Sequence, residues 1–302
     1  MKISGFTMSR NGDKLYYPVK ESVCSILPLV DEFVVALGDS DEDDKTRELL
    51  ESIGSDKIKV YDRVWSEQSF VEGQIFAEET NFALSKCSGN WCFYLQADEV
   101  IHEQDFGMIL SACQIELDNP LVDGFLFKYH HFWGDYDHYL PFYGWYRNEI
   151  RIVRNKVGIY SYKDAQSFRK GNSEKLSVKE IDAHVYHYGW VRPPRLMQVK
   201  KKEQDSMHHG IEKIEQEHRL WANEFDFGAL GNIPVFKGTH PKVMHECIQR
   251  LNWKNKLNFS KKADLKRPKV KHEKLKYRLI SFFENNLNGG KSIIGYSNWN
   301  KV

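Results

Sequence analysis

The chain has 302 residues, with 43 Lys plus Arg set against 42 Asp plus Glu and a formal net charge of +1. That length can bury one substantial core, and the near balance of charge excludes both the basic field of a general nucleic-acid binder and an acidic tail. Five cysteines (Cys24, Cys87, Cys92, Cys113, Cys247), odd in number and without CxxC spacing, argue for reduced thiols in a cytoplasmic setting and against a disulfide framework or a zinc site.

In chain order, Lys2 to Met8 reads as a short strand and Tyr17 to Leu29 as a helix entered at Pro18, where a missing N–H costs nothing. Glu32 to Leu37 (EFVVAL) is the apolar run of a strand covered on both faces. Thr46 to Ile53 predicts a helix stopped at Gly54, and Lys57 to Asp62 alternates as a third strand. A helix from about Phe76 to Cys87, a turn at Ser88-Gly89-Asn90 and a fourth strand, Trp91 to Ala97, follow. Asp105 to Leu117 then reads as a helix and Val122 to Tyr129 as a strand; an aromatic stretch runs to Tyr146, with later strands at Arg151 to Val153 and Ala183 to Tyr188. From Pro193 the composition turns to charged helix, Leu196 to Leu220, and then to a lysine-rich segment, which places a boundary near Val191 and divides the chain into 1–191 and 192–302.

Strands alternating with helices over connections too long for hairpins predict an α/β fold with right-handed crossovers and a mostly parallel sheet. Such sheets bind ligands beyond the carboxyl ends of their strands. Two acidic clusters stand there, Asp39 to Asp44 after the second strand and Gln96-Ala97-Asp98-Glu99 after the fourth. Carboxylates at such a point suit Mg²⁺ or Mn²⁺, which take oxygen ligands and share them with phosphate and water. The first cluster fails as a calcium loop, because Asp44 and Leu50 stand where Gly and Glu are required.

These elements and motifs resemble the family 2 glycosyltransferases of the GT-A fold. Carrying the resemblance are Glu21 on the first helix, the turn Gly38 to Thr46, Asn81 and Ser88-Gly89-Asn90, and the Asp-x-Asp-like Gln96 to Glu99, in which Gln96 replaces the usual first Asp. The resemblance implies a GT-A (Rossmann-like), mostly parallel mixed sheet flanked by helices, here with a helical C-terminal extension. It also implies a nucleotide-sugar donor, a UDP-sugar foremost, a divalent cation and inverting transfer to an acceptor hydroxyl, in the synthesis of a cell-surface polysaccharide or glycolipid. The expected roles are Asp98 for the metal with Glu99 as helper, Asp39 for the nucleotide, Gln96 for a ribose or outer-sphere contact, and Asp164 as base with Glu149 as runner-up. His187 would complete the metal shell, since strand alternation sends His184 to the opposite face, and Arg192 would contact phosphate.

The aromatic stretch Phe132 to Tyr146 supplies rings on which a glycan acceptor could pack. Basic residues crowd Lys254 to Arg278, and Leu279, Ile280, Phe282 and Phe283 follow, a pattern that suits peripheral contact with the inner membrane face. No window approaches the ~18 apolar residues of a membrane span. Gly289-Gly290-Lys291-Ser292 ends like a phosphate-binding loop but lacks the earlier Gly and the preceding strand. Two other readings stand beside the glycosyltransferase: a nucleotidyltransferase, for which Ser9 to Lys14 is only a faint basic loop, and a non-catalytic carbohydrate-binding protein with a decayed site.

Overall fold

A computed structural model describes residues 1–156, 158–265, 267–287 and 297–302, so Lys266 and the Gly289 to Ser292 motif lie outside the described residues. The first half runs β1 (Ile3–Ser9), α1 (Val19–Ile26), β2 (Glu32–Leu37), α2 (Thr46–Glu51), β3 (Ile58–Asp62), α3 (Gln74–Ser85), β4 (Trp91–Tyr94), β5 (Glu99–Ile101) and α4 (Phe106–Ile115). It continues through β6 (Gly124–Trp133), β7 (Asn148–Arg154), β8 (Ile159–Tyr162), β9 (Ser167–Lys170) and β10 (Glu174–Trp190). The remainder holds α5 (Pro194–His209), α6 (Ile211–His218), α7 (His245–Gln249), α8 (Leu275–Leu287) and β11 (Trp299–Lys301).

β1 pairs in parallel with both β2 and β4, and β2 with β3. Helices cover both faces of these strands, which is why every residue of β2 and β4 is buried. Beyond β4 the sheet turns mixed: β7 joins antiparallel to β4 and β6, and β10 runs parallel to β6. The path β3-β2-β1-β4-β7-β6-β10-β9-β8 is a helix-flanked mixed sheet whose first half is parallel, the α/β arrangement expected from the alternation of strands and helices.

Three features depart from the sequence expectation. The strand expected to end at Tyr129 is longer, because β6 continues into the aromatic stretch as far as Trp133. The strand expected at Ala183 to Tyr188 is the end of a 17-residue β10, whose register against β6 shifts twice and so breaks the alternation a strand is recognised by. The single helix expected over Leu196 to Leu220 is two, because Gly210 at φ +87°, ψ 148° ends α5 and starts α6.

The C-terminal extension is packed onto the sheet. Trp133 donates its indole N–H to the Phe227 carbonyl at 2.9 Å, and Trp253 donates to the Gly134 carbonyl at 2.8 Å. These indoles sit in a buried cluster with Phe132, Tyr188, Met197 and Leu230.

A buried ion pair joins the short β5 to the body. Glu99 and Arg151 are both 0% exposed. The guanidinium grips the carboxylate twice, Nε to Oε2 and Nη2 to Oε1, each at 2.7 Å, and Tyr129 Oη donates to Oε1 at 2.7 Å. Removing one partner leaves an uncompensated charge in the interior. Arg151→Met is therefore expected to lower the unfolding free energy by about 3–5 kcal/mol, whereas Arg47→Met, which breaks the exposed pair with Asp62, is expected to cost less than about 1 kcal/mol. Urea unfolding of the two variants checks the contrast.

Candidate active site

The turn after β4 is held at both ends. Leu95 N–H donates to Phe6 O at 3.1 Å, Ser22 Oγ to Gln96 O at 3.1 Å, and Gln96 N–H to Glu99 Oε2 at 3.1 Å. β5 pairs antiparallel with β10, so His187 lies opposite Glu99, and Tyr188 N–H donates to Asp98 O at 2.8 Å. Asp98 is thereby brought to His187, with Oδ2 3.6 Å from Nε2.

Hydrogen-bond partners fix the proton positions of this pair. His131 Nε2 lies 2.7 Å from the Tyr146 carbonyl, to which it can only donate. Burial holds the His131 imidazole well below its ordinary pKa, so the ring is neutral and its Nδ1 is an acceptor. His187 Nδ1, 3.1 Å away, must carry the proton given to it. Burial also lowers the pKa of His187, against the opposing pull of Asp98 and Glu99, and in the neutral ring so favoured Nε2 is the lone pair that faces the carboxylate oxygen. Two acceptors then meet with no proton between them.

The space beside them is kept by Gly189. A Cβ there would stand 2.5 Å from Asp98 Oδ2 and 2.7 Å from His187 Nε2. An oxygen and an imidazole nitrogen with a lone pair, converging beside a residue without a side chain, fit a divalent cation of the Mn²⁺ type. Among the described residues no three His, Cys, Asp or Glu groups gather as a full ligand set. Any further ligands would have to come from phosphate and water, as is usual for such ions.

Around this pair opens a cleft of about 250 Å³, lined by Gln96, Asp98, Asp164 and His187 together with Arg10, Trp65, Trp145, Tyr146 and Trp190. Asp39 stands at its edge, accepting from Trp65 N–H at 3.1 Å and lying 3.3 Å from Arg10 Nε. Asp164 is exposed on the loop between β8 and β9, and Lys163 and Ala165 on either side take positive φ, +54° and +57°. Non-glycine residues in that region signal a constrained backbone.

Three expected residues do not reach the cleft. Glu99 is fully engaged with Arg151 and Tyr129 and is not free to help hold a cation. Arg192 lies behind Tyr17, its guanidinium 4.4 Å from that ring and its Nη1 donating to Leu15 O at 2.5 Å. Glu149 is buried on β7 and touches the cleft only through Gln166, whose Nε2 donates to Oε1 at 2.6 Å. Of the aromatic stretch, Phe132, Trp133 and Tyr136 are core, and Trp145 and Tyr146 face the cleft. His184, as expected from alternation, turns elsewhere and stacks on His130 at 4.6 Å.

The sequence reading overlooked α5. Lys200, Glu203, Gln204, Met207 and His208 line the cleft, so the site draws on both sides of residue 191. Their i, i+3, i+4, i+7, i+8 spacing is one helix face, legible in principle but hidden by its charged composition. Lys200 is 5% exposed; burial, then the charge of Arg192, pulls its ammonium down to about 7, against the opposing pull of Asp98. Ser9 Oγ, Trp65 Nε1, Trp145 Nε1 and Glu203 Oε2 are buried polar atoms without partners, and all four belong to residues lining this cleft. Other such atoms lie elsewhere, among them Arg192 Nε and Nη2 and both nitrogens of His272, but the four in the cleft are where a polar ligand could satisfy them.

No protein-family model matches the chain, and no curated protein matches it. Among solved structures it is similar to TarS 1–349 of S. aureus in complex with UDP, with 16% identity over 74% of this chain and 73% of that one and a TM-score of 0.39. It is similar also to glucosyl-3-phosphoglycerate synthase from Mycobacterium tuberculosis with Mn²⁺, UDP and phosphoglyceric acid, at 19% identity over 42% of each chain and a TM-score of 0.29. For the same synthase with Mn²⁺, UDP-glucose and glycerol 3-phosphate the figures are 21%, 42% of this chain, 43% of that one and 0.29. The match spans less than half the length of the synthase chain.

Burial pushes the Glu149 carboxyl from 4.5 up to about 7. Between those values the folded chain keeps a proton that the unfolded chain has released, so this group's contribution is complete below about pH 4.5 and is lost as pH rises to about 7. Glu149→Gln removes it. The stability of the parent relative to the variant should fall across that window by roughly 3 kcal/mol, and urea unfolding at a series of pH values that gives parallel profiles would refute the assignment.

Proposed function

We propose that the chain is a metal-dependent glycosyltransferase, moving a sugar from a nucleoside-diphosphate sugar, a UDP-sugar foremost, to an acceptor hydroxyl with inversion. The observation that carries this reading is the pair of facing acceptors, Asp98 Oδ2 and His187 Nε2, 3.6 Å apart over the space that Gly189 leaves. Those two residues would hold the cation. Bound there, it supplies Lewis-acid stabilisation of the departing diphosphate.

The remaining cleft residues fall into roles by their chemistry. Lys200 adds a protein-borne positive charge toward the same diphosphate, and Gln96 offers an amide to the donor. Trp65, with Arg10 and Asp39 beside it, suits the nucleoside end. Trp145, Tyr146 and Trp190 offer faces on which the apolar side of a sugar ring can pack. Asp164, exposed at the mouth, is reachable by an acceptor hydroxyl and would take its proton during attack on the anomeric carbon. Buried Glu149 is worse placed for that task. Assembly of a cell-surface polysaccharide or glycolipid is the setting this chemistry suits, with residues 1–191 as the catalytic domain and the 192–302 extension closing its cleft.

Donor hydrolysis or transfer with Mn²⁺ across UDP-, GDP- and TDP-sugars tests the reading. Turnover with at least one donor is expected, abolished by EDTA and lowered about 100-fold or more by Asp98→Ala; no binding and no turnover with any of them sinks it. A second variant separates the metal site from general damage. His131→Phe leaves Asp98 and His187 in place but removes the acceptor that orients the His187 ring, so the Mn²⁺ concentration for half-maximal activity should rise roughly 10- to 100-fold.

A further inference from the structure

Helix α8 is docked by its polar side. Ser281 and Glu284 are its buried residues. Ser281 Oγ accepts the Tyr143 N–H at 2.8 Å, and Glu284 pairs with Arg147 at 3.0 Å. Tyr277, on the same stripe by helical spacing, packs on Tyr143 with ring centroids 5.6 Å apart. The opposite stripe is apolar and bare. Leu275, Leu279, Phe282, Phe283 and Leu287, at i, i+4, i+7, i+8 and i+12, are between 50% and 72% exposed. An ordinary surface helix buries such a face against the core and shows its polar side to water; a contiguous apolar stripe left outside marks an interaction surface.

Charge identifies the partner. Lys274, just before the helix, and Lys276 and Arg278 in its first turn are exposed, and helical spacing puts Lys276 and Arg278 at the two edges of the stripe. Nearby acids do not offset them, because Glu273 pairs with Arg267 at 2.8 Å and Glu284 is buried against Arg147. A second copy of the chain would bring the same cations against each other. A bilayer surface bearing anionic headgroups satisfies both features, taking apolar side chains below the phosphates and basic ones at their level. No helix among the described residues is long and apolar enough to cross a membrane.

We propose that α8 is an interfacial helix that seats the protein on an anionic lipid surface, with Leu279, Phe282 and Phe283 inserted and Lys274, Lys276 and Arg278 at the lipid phosphates. The inference does not depend on the glycosyl-transfer reading. It has a geometric consequence, because α8 docks on Tyr143 and Arg147, and Trp145 and Tyr146 between them form part of the cleft wall.

Flotation with vesicles of phosphatidylcholine alone, and of phosphatidylcholine mixed with phosphatidylglycerol, tests the proposal. Binding to the mixed vesicles is expected, weakened by added salt and reduced about tenfold or more by Phe282→Ser with Phe283→Ser. The triple variant Lys274→Glu, Lys276→Glu, Arg278→Glu should lose binding to a comparable degree. Every altered side chain is exposed, so circular dichroism and the thermal midpoint should stay at parental values and separate lost binding from lost folding. Equal binding to pure phosphatidylcholine, or binding to neither vesicle, overturns the proposal. So does sedimentation showing that Phe282→Ser with Phe283→Ser splits a dimer while vesicle binding is unchanged.

Discussion

The Glu99–Arg151 pair is the constraint on which the rest of the site depends. Two charges removed from water are tolerated only because the geometry is bidentate and the remaining lone pairs and protons are used. Glu99 Oε2 also accepts from Gln96 N–H, and Arg151 Nη1 also donates to the Ile150 and Gln166 carbonyls. One interaction therefore ties the turn that presents Asp98 to β7 and to the segment that follows Asp164. Tyr129, the third partner of the pair, stacks on His131 at 5.2 Å, and His131 in turn orients His187. Both facing acceptors are positioned from the same buried anchor.

The parallel half of the fold was legible because its strands are covered on both faces and so write themselves as apolar runs; β2 over Glu32–Leu37 has the expected bounds. β10 was legible only at its end, since its register shifts spoil the alternation that would have shown the rest. The β8–β9 hairpin, β5 and β11 are too short, and too dependent on partners distant in sequence, to leave a local signal. Asp98 and His187 could be singled out from motif and alternation, whereas the engagement of Glu99 could not. Its partner Arg151 is 52 residues away, and an acid in an acidic motif looks the same whether it faces a ligand or a buried guanidinium. Lys200 was missed for a related reason: a charged helix reads as solvated surface until something is known to lie against it.

The extension beyond residue 191 thus forms part of the cleft wall. Its first helix, α5, walls the cleft and contributes a lysine whose charge is weakened by burial, and its later segments bury indoles against the ends of β6 and β10. Near the end of the described chain, α8 reverses the usual relation between a helix and its core, holding on through a serine and an ion pair. The two ends of the extension meet different environments, α5 a cleft with unsatisfied polar atoms and α8 a surface with unsatisfied apolar ones.

Gly189 carries a consequence for how chains of this kind can be recognised. The carboxylate motif Gln96 to Glu99 is short and common by composition, and by itself distinguishes poorly between a working centre and a solvated strand end. The geometry adds a second, distant half to that fingerprint: a histidine followed two residues later by a position that must lack a side chain, on a strand running antiparallel to the motif. A sequence scan requiring both halves would retain chains able to assemble this constellation. It would reject those in which the carboxylate survives but any larger residue has closed the space beside it.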